Sequence, residues 1–346
     1  MLSGCVHPKL PLALKQGAFR NVGSPRTQAK LDQEHCIEVY GLAQQIAVAL
    51  HLGAHKTAST HLQKTLARNE KLLRENGVRC FGPKYLRDPK HNFQDLFGLR
   101  PKGEPTGGRS GSEQITYLAK GARRVVLSEE NALGPVFNKL SPGVLYPQAD
   151  LRLESFVASV APFPVTLFLA VREPSKWIAS LYSQRIAGGD LKTFDEFVGD
   201  SLPEDLLWSN LIGRMRKVPG LGAIRLWRKE DYPEVSVPVF RRMLGWRLGP
   251  LVERVDGRVN EGLSSAALSQ IIEWGEDGRS GDIRSWVKEA RQQFQLTGPS
   301  QTFNPWSEEM QARSIKSYSA DLEEIAAWDD VEMVKPSVRS RGVKED

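Results

Sequence analysis

The run Gly53-Ala54-His55-Lys56-Thr57-Ala58-Ser59-Thr60 places a lysine and three hydroxyls directly after the apolar stretch Ile46–Leu50. Side chains of these types hold anions. If the stretch is a strand and a helix begins near Thr57, the backbone N–H groups of residues 54–60 lie open at a helix N-terminus. The helix dipole then adds to their positive field. Gly53 permits a sharp turn after the strand. Lys56 adds a charge, and Thr57, Ser59 and Thr60 add donors. A plainer assignment is a helix N-cap at Thr57 or Ser59. The nucleotide-loop pattern GxxxxGK[ST] is not met, because no glycine precedes the lysine.

Two further groups have the chemistry of such a site. Arg172 follows the apolar run Val165–Val171, and Ser180 stands eight residues later. Pro174 opens the intervening helix, where its missing N–H costs nothing. Trp177, Ile178, Leu181 and Tyr182 mark the buried face of that helix, and Ser180 lies away from it with Lys176 and Ser183. An arginine fork and a serine hydroxyl can grip one phosphate. Glu129 and Glu130 follow the run Arg124–Ser128 and are candidate general bases. The plainer reading of both is solvated acids at a helix start. Of the histidines, His55 suits loop packing or substrate contact, and His91 could reach a substrate. His51 and His61 read as structural.

These residues need a frame. Apolar runs at 46–52, 124–128, 164–171 and 222–227 alternate with helical patterns, which predicts a parallel sheet covered on both faces. The expected fold is a three-layer α/β/α domain with a helical C-terminal portion at 233–245, 264–273, 281–295 and 305–328. Ligands in such sheets bind beyond the C-terminal strand ends, where these groups fall. Residues 101–112, rich in Gly, Pro and Ser, read as a surface loop. Residues 1–44 read as a loosely attached extension, 45–330 as one domain and 331–346 as a flexible tail.

Composition narrows the function classes. The chain has 346 residues and a net charge of +6, with 40% apolar and 25% charged residues. The basic excess suits anionic ligands but has no basic–aromatic patch for nucleic acid. Cys5, Cys36 and Cys80 are too far apart for metal-ligand spacing and read as thiols of a reducing compartment. The histidines form no metal motif. No apolar run reaches the ~18 residues of a membrane span. Nothing in the pattern sets an oligomeric state.

The two phosphate-type motifs resemble those of sulfotransferases that use 3′-phosphoadenosine 5′-phosphosulfate (PAPS). Gly53-Ala54-His55-Lys56-Thr57-Ala58-Ser59-Thr60 is similar to the family's GxxKTGTT loop for the 5′-phosphosulfate. Arg172 to Ser180 is similar to its RxPxxxxxS motif for the 3′-phosphate. Weaker similarities at Val126–Glu130, Asn260–Ser264 and Tyr318–Leu322 extend the resemblance over about residues 46–325. It implies a fold like that of P-loop nucleotide-binding proteins and transfer of a sulfuryl group to a hydroxyl or amine. A carbohydrate or glycolipid is the implied acceptor, as for bacterial and carbohydrate-type members, with no metal required. In that scheme Gly53 to Thr60, Arg172 and Ser180 bind PAPS, and Lys56 stabilises the leaving oxygen. Glu130 is the first candidate base and Glu129 its rival. His91 and Tyr182 are tentative acceptor contacts, and Trp208 and Trp246 are possible sugar platforms. PAPS chemistry and the thiols imply a cytoplasmic location. Ala58 replaces the family's usual glycine, which fits the loop if residue 58 keeps φ negative.

Two alternatives keep the same loop. A P-loop kinase or ATPase would read Val125–Glu130 as the strand and acid that serve magnesium. A non-catalytic homologue would bind 3′-phosphoadenosine 5′-phosphate (PAP) or a glycan without turnover.

Overall fold

The computed structural model describes residues 46–90, 92–99, 108–136, 140–256, 262–296, 298 and 301–336. All lie in a unit spanning Ala43–Asp346. The expectations for residues 1–44 and for His91 fall outside the described residues.

The expected frame is present. Six parallel strands run in the order β2-β3-β1-β4-β5-β6. They are β1 Ala47–His51, β2 Val78–Phe81, β3 Arg124–Ser128, β4 Val165–Val171, β5 Leu221–Arg228 and β6 Val331–Met333. Strands β1, β3 and β4 are near-continuous apolar runs because both sheet faces are covered. Val48, Leu50, Leu167 and Leu169 face one layer, with Ile115, Leu153, Trp177 and Leu211 from its helices. Ala49, Phe168 and Ala170 face the other, with Leu62, Leu66 and Val239. The period-two alternation of strand side chains divides the two cores.

Strands β2 and β6 were not expected. Both are edge strands, each with a polar residue, Arg79 or Glu332, in a short run. Neither gives an apolar stretch of strand length. Residues 331–333, expected as tail, pair in parallel with β5. Glu332 is held there by Arg225 and Arg242.

The first helix runs from Ser59 to Arg68 and buries Leu62 and Leu66. Leu73, expected on the same stripe, belongs to a separate helix, Glu70–Glu75. Asn69 breaks the path at φ −97° and its amide bonds to the Thr65 and Glu253 carbonyls. The C-terminal helices Tyr232–Leu244, Ser265–Glu276, Ile283–Gln293 and Glu308–Ala326 match the expected windows closely.

Topology sets the site. From β1 the chain moves out to edge strand β2, returns to β3, then crosses β1 to reach β4. The C-terminal ends of β1, β3 and β4 therefore lie side by side, in register at His51, Ser128 and Phe168. This is the switch point at which open α/β sheets bind ligands. It collects the 53–60 loop, the Glu129–Glu130 pair and Arg172. Among the described residues no helix is long and apolar enough to cross a membrane.

A candidate anion-binding active site

The loop after β1 turns at Gly53, whose φ is +46°. A Cβ there would run into Ser59 Oγ. Two non-glycine residues follow in the left-handed region, Lys56 at φ +64° and Ala58 at φ +70°. The condition set for Ala58, a negative φ, is not met: Ala58 adopts the conformation that glycine favours. Each such residue costs roughly 1–2 kcal/mol, so the surroundings must enforce it. They do so from both sides. Trp177 Nε1 donates to His55 O at 2.8 Å, and His55 N–H donates to the Tyr146 hydroxyl at 3.0 Å. Arg172 Nη1 donates to Lys56 O at 2.9 Å, and Thr57 Oγ1 donates to Ala54 O at 2.5 Å. The Ala58 methyl packs on the core layer of Leu62 and Phe168.

The held loop leaves a cradle. Ala58 is the N-cap of the Ser59–Arg68 helix, which has no side-chain cap and no acid in its first turn. Among the described residues no backbone carbonyl receives the N–H groups of Lys56, Thr57, Ala58 or Ser59. Ser59 Oγ is buried without a hydrogen-bond partner. The plain N-cap role considered for Thr57 or Ser59 is not what the structure holds. Thr57 differs from expectation too: its proton goes to Ala54 O, so it does not donate to an anion.

Replacing Ala58 with glycine removes the left-handed penalty but frees the unfolded chain and deletes a core contact. The expected net gain is about 0.5–1 kcal/mol, or roughly 2 °C in melting temperature. Thermal unfolding reads this directly; an equal fall would mean that the methyl contact dominates.

Charge around the cradle is positive on one side and mixed on the other. Lys56 is half-buried, and burial, aided by the Arg172 charge, lowers its pKa to about 8. Arg291, on the Ile283–Gln293 helix, pushes the same way, while Glu130 opposes. Arg172 at the tip of β4 is also held below the ordinary arginine range by burial, against the pull of Glu230 and Glu173. Ser180 is half-buried, six residues past the Pro174 helix start and so about 9 Å along the axis. No hydrogen bond joins it to Arg172. Arg291 and the buried Glu173 were not anticipated. Glu173 caps its helix, accepting from the Ser175 and Lys176 N–H groups at 2.9 and 3.0 Å and from Ser314 Oγ.

Lys56 gives a pH signature. Folding lowers its pKa from 10.5 to about 8, so in that window the unfolded chain binds more protons. This group therefore makes stability rise with pH between those values. Anion binding runs the other way, because a bound phosphate favours the charged ammonium. Affinity for PAP is expected to be flat below pH 8 and to fall by up to about tenfold per unit above it. Titrations at pH values on either side of 8 check this; a flat profile would remove Lys56 from the contact.

Beyond β3 the two acids separate. Glu129 is buried, with Arg87 Nε at 3.0 and 2.9 Å from its two oxygens and Arg87 Nη2 at 2.9 Å from Oε1. The Asn131 N–H adds a bond of 2.9 Å. Both oxygens of this buried carboxylate are thus engaged within the protein, which argues against Glu129 as a rival base and as a magnesium-serving acid. Glu130 is partly exposed, meets Arg87 Nη2 at 3.0 Å, and acts electrostatically on Lys56 and His55. It remains the candidate base.

His55 is held on two sides. Burial lowers its pKa, and burial pushes the Tyr146 phenol above its usual range, so that hydroxyl keeps its proton. The hydroxyl lies 2.9 Å from Nδ1, and Nε2 lies 3.4 Å from Asn131 Oδ1. His55 thus packs the loop. His51 is structural, held down to about 3 by burial and 2.7 Å from Ser128 Oγ. His61 is fixed by the Tyr232 hydroxyl and Val255 O at 3.2 and 2.9 Å.

Two aromatic expectations fail. Tyr182 is buried among Phe194, Phe197 and Phe303, and its hydroxyl donates to Lys192 O at 3.0 Å, so it is a core residue and no acceptor contact. Trp208 is fully buried and donates to Arg172 O at 2.8 Å, supporting the arginine rather than a sugar. Trp246 is 71% exposed. Among the described residues no group of three or more His, Cys, Asp or Glu is arranged to hold a metal ion.

The fold is α/β, with a candidate anion cradle at the switch point of a parallel sheet. No family model matches the chain, and no curated protein matches it.

Proposed function

We propose that this protein is a sulfotransferase that moves a sulfuryl group from PAPS to a hydroxyl acceptor. The observation that carries this reading is the uncapped helix N-terminus with the buried, unpartnered Ser59 Oγ, flanked by Lys56 and Arg172. A buried hydroxyl without a partner costs stability, and an anion in the cradle satisfies it together with the open N–H groups. PAPS carries anionic groups at the 5′ and 3′ positions of its ribose, and cations stand at both the β1 and the β4 tip. The residues present therefore fit it. The loop N–H groups and Ser59 hold the 5′-phosphate, and Arg172, with Ser180, serves the 3′-phosphate.

PAPS supplies the activated sulfuryl group. Lys56 stabilises charge on the departing oxygen, a role for preorganised cations in partly dry sites. Glu130 takes the acceptor proton, and Arg87 holds that carboxylate in place. The test is PAP release from PAPS in the presence of phenol, alkyl alcohol and sugar acceptors, with ATP and magnesium in parallel. Acceptor-dependent PAP release supports the reading; ATP turnover without it favours the kinase alternative.

A further inference from the structure

We infer that the C-terminal helix Glu308–Ala326 positions Arg172, and that Asp321 and Ser314 on it set the preference for a nucleotide phosphorylated at the 3′ position. This rests on the sulfuryl-transfer reading above. The helix buries Ser314, Tyr318, Asp321 and Ile325, whose spacing puts them on one stripe. A stripe that packs on a core is ordinarily apolar, because a buried polar group is costly unless it has a partner. Here Ser314, Tyr318 and Asp321 break that pattern. Each bonds to the segment Arg172–Ser175 or to a residue that holds it.

Trp208 and Ser209 open the helix Trp208–Met215, whose own N-cap residue supplies no side-chain bond. Asp321 accepts from both of their N–H groups, at 2.7 and 3.1 Å, and so caps that helix from outside. The indole of the capped Trp208 donates to Arg172 O at 2.8 Å. Ser314 Oγ donates to the buried Glu173 carboxylate, which caps the helix beginning at Pro174. The Tyr318 hydroxyl donates to Glu230 at 3.4 Å, and Glu230 accepts from the Glu173 N–H at 3.2 Å. Just before the C-terminal helix, Trp306 Nε1 donates to Ser175 O at 3.0 Å. Residues 306–321 thus hold Arg172 O, the Glu173 N–H, the Glu173 carboxylate and Ser175 O, directly or through one residue. An apolar stripe would dock the helix equally well. The polar one adds direction, which a guanidinium fork needs to meet a phosphate. Asp321 and Ser314 are therefore positioning residues, acting through Arg172.

The test is calorimetric titration of PAP and ADP against the full chain and its Asp321→Ala, Asp321→Asn, Ser314→Ala and Ile325→Ala variants, with urea unfolding of each. Ile325 is the apolar member of the stripe, so its variant lowers stability and leaves these bonds in place. The expected result is a preference for PAP over ADP that falls about fivefold or more in Asp321→Ala and about threefold in Ser314→Ala. Asp321→Asn, which keeps one acceptor oxygen, recovers part of it, Ile325→Ala keeps it whole, and ADP affinity does not move. If Asp321→Ala fails to fold, Asp321→Asn and Ser314→Ala decide. A preference unchanged in the folded Asp321 and Ser314 variants, or lost equally in Ile325→Ala, would overturn the inference while wild type still prefers PAP. Equal binding of PAP and ADP by wild type would overturn the sulfuryl-transfer reading itself, and the inference with it.

Discussion

Replacing Lys56 with methionine is expected to lower the rate of PAP release from PAPS by about 10²–10³-fold, the usual effect of deleting a donor aimed at developing charge. The substitution is well suited to isolate chemistry from folding. Lysine and methionine meet the same penalty at φ +64°, and methionine keeps most of the stem that half-buries Lys56. The ammonium is disfavoured by its surroundings, its pKa lowered to about 8 chiefly by burial. Removing it therefore leaves thermal stability at neutral pH unchanged or slightly higher. Stopped assays of PAP release, with melting curves beside them, read both quantities. A rate within threefold of wild type would show that Lys56 does not act on the reacting group.

The largest expected effect on stability belongs to Arg87. Glu129 is buried, and Arg87 supplies the cation that makes its charge tolerable. Removing one member of a buried pair leaves an uncompensated charge, at a cost of about 3–5 kcal/mol. The arginine side chain is 39% exposed, so solvent screens part of this, and Arg87→Met is expected to cost about 2–3 kcal/mol. Pairing it with Glu129→Gln should restore much of the loss, because the orphaned charge goes too. Urea unfolding of the four proteins gives the coupling energy. Additive effects would mean that the pair contributes little. Because Arg87 also holds Glu130, the same variant should shift the pH dependence of turnover, which a purely structural arginine would not.

The sequence showed the inner sheet more clearly than its edges. Strands β1, β3 and β4 are buried on both faces, so they are uninterrupted apolar runs. β2 and β6 need to satisfy only one neighbour each, and their Arg79 and Glu332 erase the signal. Within the site, Gly53, Lys56, Ser59 and Arg172 were found by residue type and spacing, because an anion cradle needs a turn, a cation and donors close in sequence. Arg87 has no such mark: its partners are 42 and 43 residues away, and only the fold brings them together. The same holds for Tyr146 and Trp177, which grip His55 from two different segments. The φ of Ala58 was not legible because backbone conformation here is imposed by tertiary hydrogen bonds, whereas alanine itself prefers negative φ. Tyr182 shows the opposite: the apolar periodicity put it on the buried face of its helix, as found, and only the resemblance made it an acceptor contact.

On the proposed reading the cradle recognises a ligand phosphorylated at both the 5′ and 3′ positions of adenosine. The most direct measurement is calorimetric titration of PAP against the full chain, with ADP and the Arg172→Ala variant beside it. The predicted result is PAP bound at least tenfold more tightly than ADP, with that preference lost in the variant, as expected for a charge-assisted bond of about 1.5–3 kcal/mol. Equal affinity for PAP and ADP, or a PAP affinity that Arg172→Ala leaves unchanged, would contradict it.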